Sequence, residues 1–233
     1  MINIFIQCRI KSGRLPGKAL HTFFGQTIIE RVIDAAKKVK FNRKIYLVTG
    51  CKKNNILLRN IANKKKIKIF FGDESNVLKR FKNAIKKFKI NNHEYILRIT
   101  ADNYLVQPSI LNNIISKVLN KRNRKIYDYA SILPLSHYSG ELFSVRSFLK
   151  KIFKEKNTIN SKEHVTYNYR KNRKIITLNF PYNFMNLNHK IKITLDTIDD
   201  LIFLKKIEKS FKKLRNINCI NTIKKIHQKY FLN

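Results

Sequence analysis

The chain has 233 residues, the size of one large α/β domain or two small ones, and its 43% hydrophobic content excludes an intrinsically disordered protein. No apolar run approaches the roughly 18–20 residues that cross a bilayer, and no N-terminal stretch has the layout of a signal peptide, so we expect a soluble cytoplasmic protein without membrane insertion. The formal charge of +36 is spread along the chain and accompanies abundant Asn and Ile, which A/T-rich codons encode, so it does not require a specific nucleic-acid partner.

Apolar runs alternate with helical patterns through the first half of the chain. The runs predict strands at residues 4–8, 44–49, 67–71 and 95–100. Apolar residues at helical spacing predict helices at residues 28–39, 54–63, 77–88 and 108–119. Thr27 and Glu30 match the S/T-x-x-E capping box before the first helix, and Pro108 suits the first turn of the fourth. This alternation predicts a mostly parallel sheet covered by helices on both faces.

The second half of the chain is less regular. It predicts short strands at residues 127–132, 141–144, 175–178 and 190–195. It predicts helices at residues 145–153, 163–170, 198–211 and 222–230. Because neither an internal repeat nor a flexible linker is present, we predict a single domain of residues 1–233, with an inserted lobe at about residues 127–188. Cys8, Cys51 and Cys219 lack metal-ligand spacing, which argues against structural zinc and a disulfide framework.

A basic loop that contains glycine follows the first strand. Its cations are Arg9, Lys11, Arg14 and Lys18, and its glycines are Gly13 and Gly17. Cations attract phosphate oxygens, and glycine lets the backbone approach a ligand closely, so the loop favours a polyphosphate. The alternative is a solvated basic loop after an edge strand.

Two of the 14 acidic residues stand directly after predicted strands. Asp102 follows the strand at residues 95–100, and Asp196 follows the strand at residues 190–195. Ligands of open α/β sheets bind beyond the carboxyl ends of the strands, and two carboxylates beside a basic loop suit a Mg²⁺–triphosphate complex. Each carboxylate also has a structural explanation, because Asp196 suits a helix N-cap and Asp102 suits a turn.

Other polar residues allow two interpretations. Arg98 interrupts an otherwise apolar strand, which indicates either a functional cation or an ion pair in the core. His164 is a lone histidine, and such residues are more often packed or surface residues than catalysts. Asp199 and Asp200 lie in the first turn of a predicted helix, where acidic residues favour the helix dipole, so we interpret them as structural.

Five blocks of sequence occur in the order typical of one enzyme family. They are residues 6–20, 71–81, 97–103, 163–166 and 194–201. In these blocks the chain resembles the CMP-sugar-forming cytidylyltransferases, and in particular the spore-coat polysaccharide biosynthesis protein F family, related to the enzymes that activate Kdo and acylneuraminates. The resemblance implies a GT-A-like nucleotidyltransferase fold, a three-layer α/β/α structure with a mostly parallel sheet and a small inserted lobe. It also implies transfer of CMP from CTP to a sugar acid or related surface-glycan precursor, with release of pyrophosphate.

The resemblance assigns roles to individual residues. The expected catalytic residues are Arg14, Lys18 and Asp102. The expected nucleotide-binding residues are Arg9, Ser12, Gly13, Arg14, Lys18, Asp73, Arg80 and Arg98. Asp102 and Asp196 would hold a Mg²⁺ cofactor, and the acceptor pocket would be bordered by Glu141, Glu163 and His164. The lobe at residues 127–188 would select the acceptor and could help to form a homodimer.

The blocks depart from the family pattern in three places. Lys11 and Ala101 stand where the family usually has glycine, and Asn103-Tyr104 replaces Cys-Pro. None of these changes removes Lys18 or an expected metal ligand.

Two other functions compete with the cytidylyltransferase hypothesis. A glycosyltransferase of the same fold that uses a nucleotide sugar would commonly carry a D-x-D motif, but Asp102-Asn103-Tyr104 lacks the second aspartate. A non-enzymatic polyanion-binding protein would explain the charge of +36 and predicts nucleic-acid binding with a steep salt dependence.

Overall fold

The computed structural model describes residues 1–120, 127–132, 138–154, 164–167, 169, 194–211 and 220–231. The strands are β1 (Ile2–Gln7), β2 (Thr22–Phe23), β3 (Gln26–Thr27), β4 (Arg43–Thr49), β5 (Lys68–Phe71), β6 (Tyr95–Thr100), β7 (Tyr129–Ala130) and β8 (Glu141–Ser144). Six of them form one sheet in the order β5-β4-β1-β6-β8-β7, and β2 pairs with β3 in a separate hairpin. β5, β4, β1 and β6 are parallel, whereas β8 runs antiparallel to β6 and to β7.

The described α-helices flank this sheet on both faces. They are α1 (Ile28–Lys37), α2 (Lys52–Asn55), α3 (Leu57–Lys64), α4 (Val77–Lys87), α5 (Pro108–Leu119), α6 (Val145–Lys154), α7 (Ile198–Ser210) and α8 (Ile220–Phe231). Buried side chains of α1, α3, α5 and α7 belong to one hydrophobic core, and those of α4 and α6 belong to a second. The structure therefore has three layers with a core on each side of the sheet, as predicted.

The central strand β1 explains why there are two cores. Successive side chains of a strand point to opposite faces. Ile4 and Ile6 accordingly join the core beneath α1 and α5, whereas Phe5 joins the core beneath α4. Phe5 meets Phe81 of α4 edge to face, with ring centroids 5.3 Å apart. A strand that is apolar on both faces belongs in the middle of such a sheet.

Most of the predicted elements in the first half of the chain are confirmed, with one clear exception. The helix predicted at residues 54–63 is two helices, α2 and α3, separated at Ile56. The break adjoins Asn55, whose side-chain amide donates to the carbonyl of Cys51 and competes with the backbone for it. The strand predicted at residues 175–178 lies outside the described residues, as do residues 190–193 of the next predicted strand and most of the predicted lobe.

The capping box at the start of α1 is confirmed and supports a stability prediction. The hydroxyl of Thr27 accepts a hydrogen bond from the Glu30 amide, and the Glu30 carboxylate accepts one from the Thr27 amide. We expect Thr27→Ala to lower the free energy of unfolding by about 1 kcal/mol, because it removes the N-cap acceptor. Urea denaturation measures the change, with the exposed Thr22→Ala as the control. An equal loss in both variants would contradict the role of the cap.

Candidate active site

The ends of the central parallel strands bring distant segments together. Gln7 at the end of β1 is in register with Val48 of β4 and Thr100 of β6. The basic loop leaves β1 at this edge, and Asp102 follows β6. A cavity of about 380 Å³ opens here between the basic loop and the start of α4. Its position agrees with the rule that ligands of such sheets bind at the carboxyl ends of the strands.

The basic loop is closed by its own backbone. The carbonyl of Ile10 accepts a hydrogen bond of 2.8 Å from the amide of Gly17. Gly17 has φ of 70°, a left-handed conformation that glycine adopts without strain, and it precedes a single 3₁₀ turn, Lys18–Leu20. This turn of the chain directs Lys18 back towards the ends of the strands.

Lys18 lies between the two aspartates that the sequence singles out. Its Nζ is 2.7 Å from Oδ2 of Asp102 and 2.8 Å from Oδ1 of Asp196. Arg14 also contacts Oδ1 of Asp196, at 3.3 Å. Burial alone would lower the pKa of Lys18. The negative charges of Asp102 and Asp196, and the hydrogen bonds that these residues accept from Lys18, outweigh burial and raise the pKa above its ordinary value. Folding thus joins residues from both ends of the chain in one cluster.

The local structure around Asp196 allows its carboxylate to contact Lys18 and Arg14. The N-cap of α7 is Thr197, not Asp196, and Thr197 forms a capping box with Asp200. The amide of Asp196 donates to the Asp200 carboxylate at 2.8 Å, and the amide of Leu195 donates to the carbonyl of Asp102 at 3.2 Å. These bonds fasten the segment before α7 to the turn after β6, so Asp102 and Asp196 are held side by side. The structural interpretation of Asp200 agrees with this geometry.

Arg80 of α4 forms the wall of the cavity that faces the basic loop, the arginine wall. Arg80 is 1% exposed and donates to the carbonyl oxygens of Asp73 and Glu74, both at 2.8 Å. Arg9 reaches the same Glu74 carbonyl at 3.3 Å. Burial lowers the pKa of Arg80, while the charge of Glu74 opposes that effect. An arginine remains charged under such shifts, so the wall presents positive charge to the cavity.

The Asp73 side chain stabilises the turn before α4. Its carboxylate accepts hydrogen bonds from the amides of Ser75 and Asn76, at 3.1 and 2.8 Å. The hydrogen bond from Asn76 is the main reason why the pKa of Asp73 lies below its ordinary value. The Asp73 carboxylate does not line the cavity. The backbone carbonyl of Asp73 contributes to the site indirectly, because it accepts a hydrogen bond from Arg80.

Arg98 both lines the cavity and forms an ion pair. Its Nε donates to Oε1 of Gln7 at 2.8 Å, and its Nη1 pairs with the carboxylate of Glu141. The other carboxylate oxygen of Glu141 accepts hydrogen bonds from Tyr129 and Thr166, each at 2.7 Å. Glu141 therefore holds Arg98 in place and does not itself line the cavity.

One cavity collects most of the predicted site residues. Those that line it are Arg9, Ser12, Gly13, Arg14, Lys18, Arg80, Arg98, Asp102 and His164. Asp196 lies beside them through its contact with Lys18, and Glu163 lies outside the described residues.

A family model described as "Cytidylyltransferase" matches residues 3–230. The chain belongs to this cytidylyltransferase family. The match spans nearly the whole chain, and it confirms both the resemblance of the five sequence blocks and the expectation that the protein is a nucleotidyltransferase.

Individual relatives of this cytidylyltransferase agree with that assignment. The spore coat polysaccharide biosynthesis protein SpsF of Bacillus subtilis is 26% identical over 208 residues, which are 85% of this chain and 82% of SpsF. The structure of a cytidylyltransferase from Leptospira borgpetersenii has a TM-score of 0.76 and 25% identity, covering 97% of this chain and 95% of that one.

A more distant structure shows the fold alone. CMP:2-keto-3-deoxy-manno-octonic acid synthetase complexed with CTP has a TM-score of 0.64 at 12% identity, covering 90% of this chain and 98% of that one. The superpositions confirm the three-layer α/β nucleotidyltransferase fold. None of the cytidylyltransferase helices in the described ranges has the length and apolar character needed to traverse a bilayer.

From the sequence alone, no role was assigned to several residues that support the cavity of the cytidylyltransferase. Gln7 holds Arg98, and Asn55 and Glu74 join the basic loop to the arginine wall. Glu74 lies in the family block at residues 71–81 but was assigned no role, and Asn55 lies outside all five blocks. Cys8 lines the cavity as a buried residue, and burial above all, with the charge of Asp102, raises the pKa of its thiol to about 12.

Proposed function

We propose that this cytidylyltransferase transfers CMP from CTP to a sugar acid or a related surface-glycan precursor and releases pyrophosphate in the cytoplasm. The observation that carries the proposal is the contact of Lys18 with both Asp102 and Asp196 at the edge of a cavity lined by arginines. The family supports cytidylyl transfer as the reaction. The name of SpsF and the CTP complex of the octonic acid synthetase support the acceptor class and the nucleotide.

The basic loop would bind the triphosphate. Arg9, Arg14 and Lys18 bring positive charge to it. The backbone at Gly13 is open to phosphate oxygens, since among the described residues only Gly13 and its chain neighbours lie within 4 Å of the position of an added Cβ. Charge grows on the pyrophosphate as it leaves, and cations held in place stabilise that charge without reorganising. We therefore assign Arg14 and Lys18 to stabilising the leaving group and Arg9 to binding the substrate.

Asp102 and Asp196 provide a suitable pair of ligands for Mg²⁺. Oδ1 of Asp102 is buried without a hydrogen-bond partner among the described residues, a costly arrangement that a bound cation would relieve. Both ligands are hard carboxylate oxygens, and Mg²⁺ in nucleotide enzymes takes one or two carboxylates together with phosphate oxygens and water. When bound, the ion would neutralise phosphate charge and polarise the phosphoryl group.

The acceptor would enter from the side of the cavity lined by Arg98 and His164. The ion pair with Glu141 and the hydrogen bond to Gln7 keep Arg98 in one orientation, which suits a residue that positions a substrate. Thr166 bonds Glu141, so the segment that carries His164 is joined to the same network. Glu163 and His164 remain the predicted acceptor contacts, with Glu141 acting through Arg98.

An assay of pyrophosphate release tests the proposal. The enzyme is incubated with CTP, MgCl₂ and a panel of sugar acids, with UTP, ATP and GTP as nucleotide controls. We expect release that requires both Mg²⁺ and an acceptor, and that is fastest with CTP. Calorimetry that detects no Mg²⁺-dependent binding of CTP would contradict the proposal. Transfer from a nucleotide sugar without pyrophosphate would instead indicate a glycosyltransferase.

A further inference from the structure

We propose that Glu74 and Asn55 are positioning residues that set the separation between the basic loop and the arginine wall, and thereby the fit of the cavity to a nucleoside triphosphate. This inference rests on the proposed function. Neither residue lines the cavity. Both lie behind it, where they connect three segments that come from different parts of the chain.

Asn55 anchors the basic loop. It is completely buried, and its Oδ1 accepts a hydrogen bond of 2.8 Å from the amide of Ile10. The carbonyl of the same Ile10 closes the loop through Gly17. Both backbone polar groups of Ile10 are therefore held, and the position of Asn55 determines where the residues between Ile10 and Gly17 lie.

Glu74 holds Asn55 in that position. Its Oε2 accepts hydrogen bonds from Nδ2 of Asn55 at 2.9 Å and from the amide of Cys51 at 2.7 Å. The carboxylate lies so close to Gly50 that a Cβ there would be 2.0 Å from Oε2. Such an approach is possible only because residue 50 is glycine. The carboxylate thus joins the turn after β4 to the turn before α4.

The backbone of Glu74 contacts the arginine wall. Its carbonyl accepts hydrogen bonds from Arg80 at 2.8 Å and from Arg9 at 3.3 Å. Arg9 belongs to the basic loop and Arg80 to α4, so one carbonyl holds a cation from each side of the cavity. Glu74 therefore touches the loop through Asn55 and through Arg9, and it touches the wall through Arg80.

The energetics argue for a role beyond stability. Oε1 of Glu74 is buried and has no hydrogen-bond partner among the described residues. A buried polar atom without a partner costs about 1–3 kcal/mol, so a neutral side chain would suit a purely structural position better. The negative charge instead offsets the buried charge of Arg80, which is a member of the site.

The test compares Glu74→Ala, Glu74→Gln and Asn55→Ala. Loss of either anchor lets the loop shift, so we expect Glu74→Ala and Asn55→Ala to raise the KM for CTP about tenfold, while the KM for the acceptor changes less than twofold. Glu74→Gln retains an oxygen that can accept from Cys51 and Asn55 but loses the charge that offsets Arg80, so its KM for CTP should lie between those of the wild type and Glu74→Ala. The KM for CTP of the double alanine variant should be no higher than that of the more impaired single variant, because the two residues act as one unit.

A matched control separates positioning from general loss of stability. Glu30 is another buried carboxylate, paired with Lys64 of α3, and neither residue of this pair lines the cavity. Glu30→Ala should lower thermal stability and leave the KM for CTP unchanged. Amide hydrogen exchange gives a readout without turnover, since Asn55→Ala should speed exchange at Ile10 at least tenfold and Glu30→Ala should not.

The outcomes also distinguish this inference from the proposed function. Wild-type enzyme that binds no CTP would defeat the proposed function itself. If the wild type binds CTP but Glu74→Ala binds it equally well, or shifts the KM values of CTP and the acceptor together, the positioning role fails and the proposed function stands.

Discussion

Asp102→Asn is expected to lower kcat about 1,000-fold, and Asp196→Asn to have a similar effect, because each removes a charged oxygen from the proposed Mg²⁺ site. The two carboxylates contact the same Lys18 nitrogen, so they are close enough to share one cation. Asparagine has nearly the shape of aspartate, so the substitution tests charge more than packing. Pyrophosphate release at saturating CTP measures the loss.

The control for this prediction is Asp199→Asn. Asp199 lies in the first turn of α7, three residues from Asp196, but it is exposed and does not line the cavity. We expect its turnover to stay within a factor of two of the wild type. Circular dichroism shows whether the variants are folded. If a folded Asp102→Asn or Asp196→Asn enzyme keeps its full turnover, that residue does not hold a catalytic metal.

Lys18→Met is expected to lower turnover strongly and also to make stability depend on Mg²⁺. Without the ammonium, Asp102 and Asp196 face each other at close range and repel. Their side chains are 22% and 15% exposed, so we expect the free energy of unfolding in EDTA to fall by about 2 kcal/mol, less than it would fall for a fully buried pair. Millimolar Mg²⁺ should restore much of this loss, because it binds the folded carboxylate pair and stabilises it by mass action. Turnover should fall about 100-fold, since the leaving group loses a cation.

Thermal unfolding with EDTA and with MgCl₂ measures the first part of this prediction, and pyrophosphate release measures the second. Lys205→Met is the control, since the Lys205 side chain is 47% exposed and its Nζ contacts Glu208 and the carbonyl of Thr22 instead of the two aspartates. Its stability should respond to Mg²⁺ as the wild type does. A Lys18→Met enzyme that unfolds at the same temperature in EDTA and in MgCl₂ would show that the carboxylate pair does not bind the ion.

Elements that depend on neighbours in sequence were predictable. The Thr27–Glu30 capping box, the helix that begins at Pro108 and the apolar strand at the centre of the sheet all follow from short-range patterns. The break between α2 and α3 was not predictable. The Asn55 side chain, which competes for the Cys51 carbonyl, is held in place by Ile10 and Glu74, and both are distant in sequence. A hydrogen bond across 45 residues leaves no periodic trace in the chain.

The candidate site, too, could be predicted from the sequence only in part. Residue types at strand ends, together with the family blocks, were enough to predict that Lys18, Asp102 and Asp196 lie close together. Whether Asp196 caps a helix or contacts Lys18 was open until the structure showed Thr197 as the N-cap. The two roles of Asp196 differ only in the direction of its side chain, and that direction depends on the completed fold.

Composition, periodicity and motif order thus sufficed for the fold class and for the residues that carry charge into the cavity, since both depend on which side chains are present. Only the tertiary structure decided that Lys18 lies between two aspartates and that Glu141 holds Arg98. It alone also showed that Glu74 connects the two sides of the cavity. These arrangements arise from contacts between segments far apart in the chain, whose geometry is determined when the sheet and its two cores assemble.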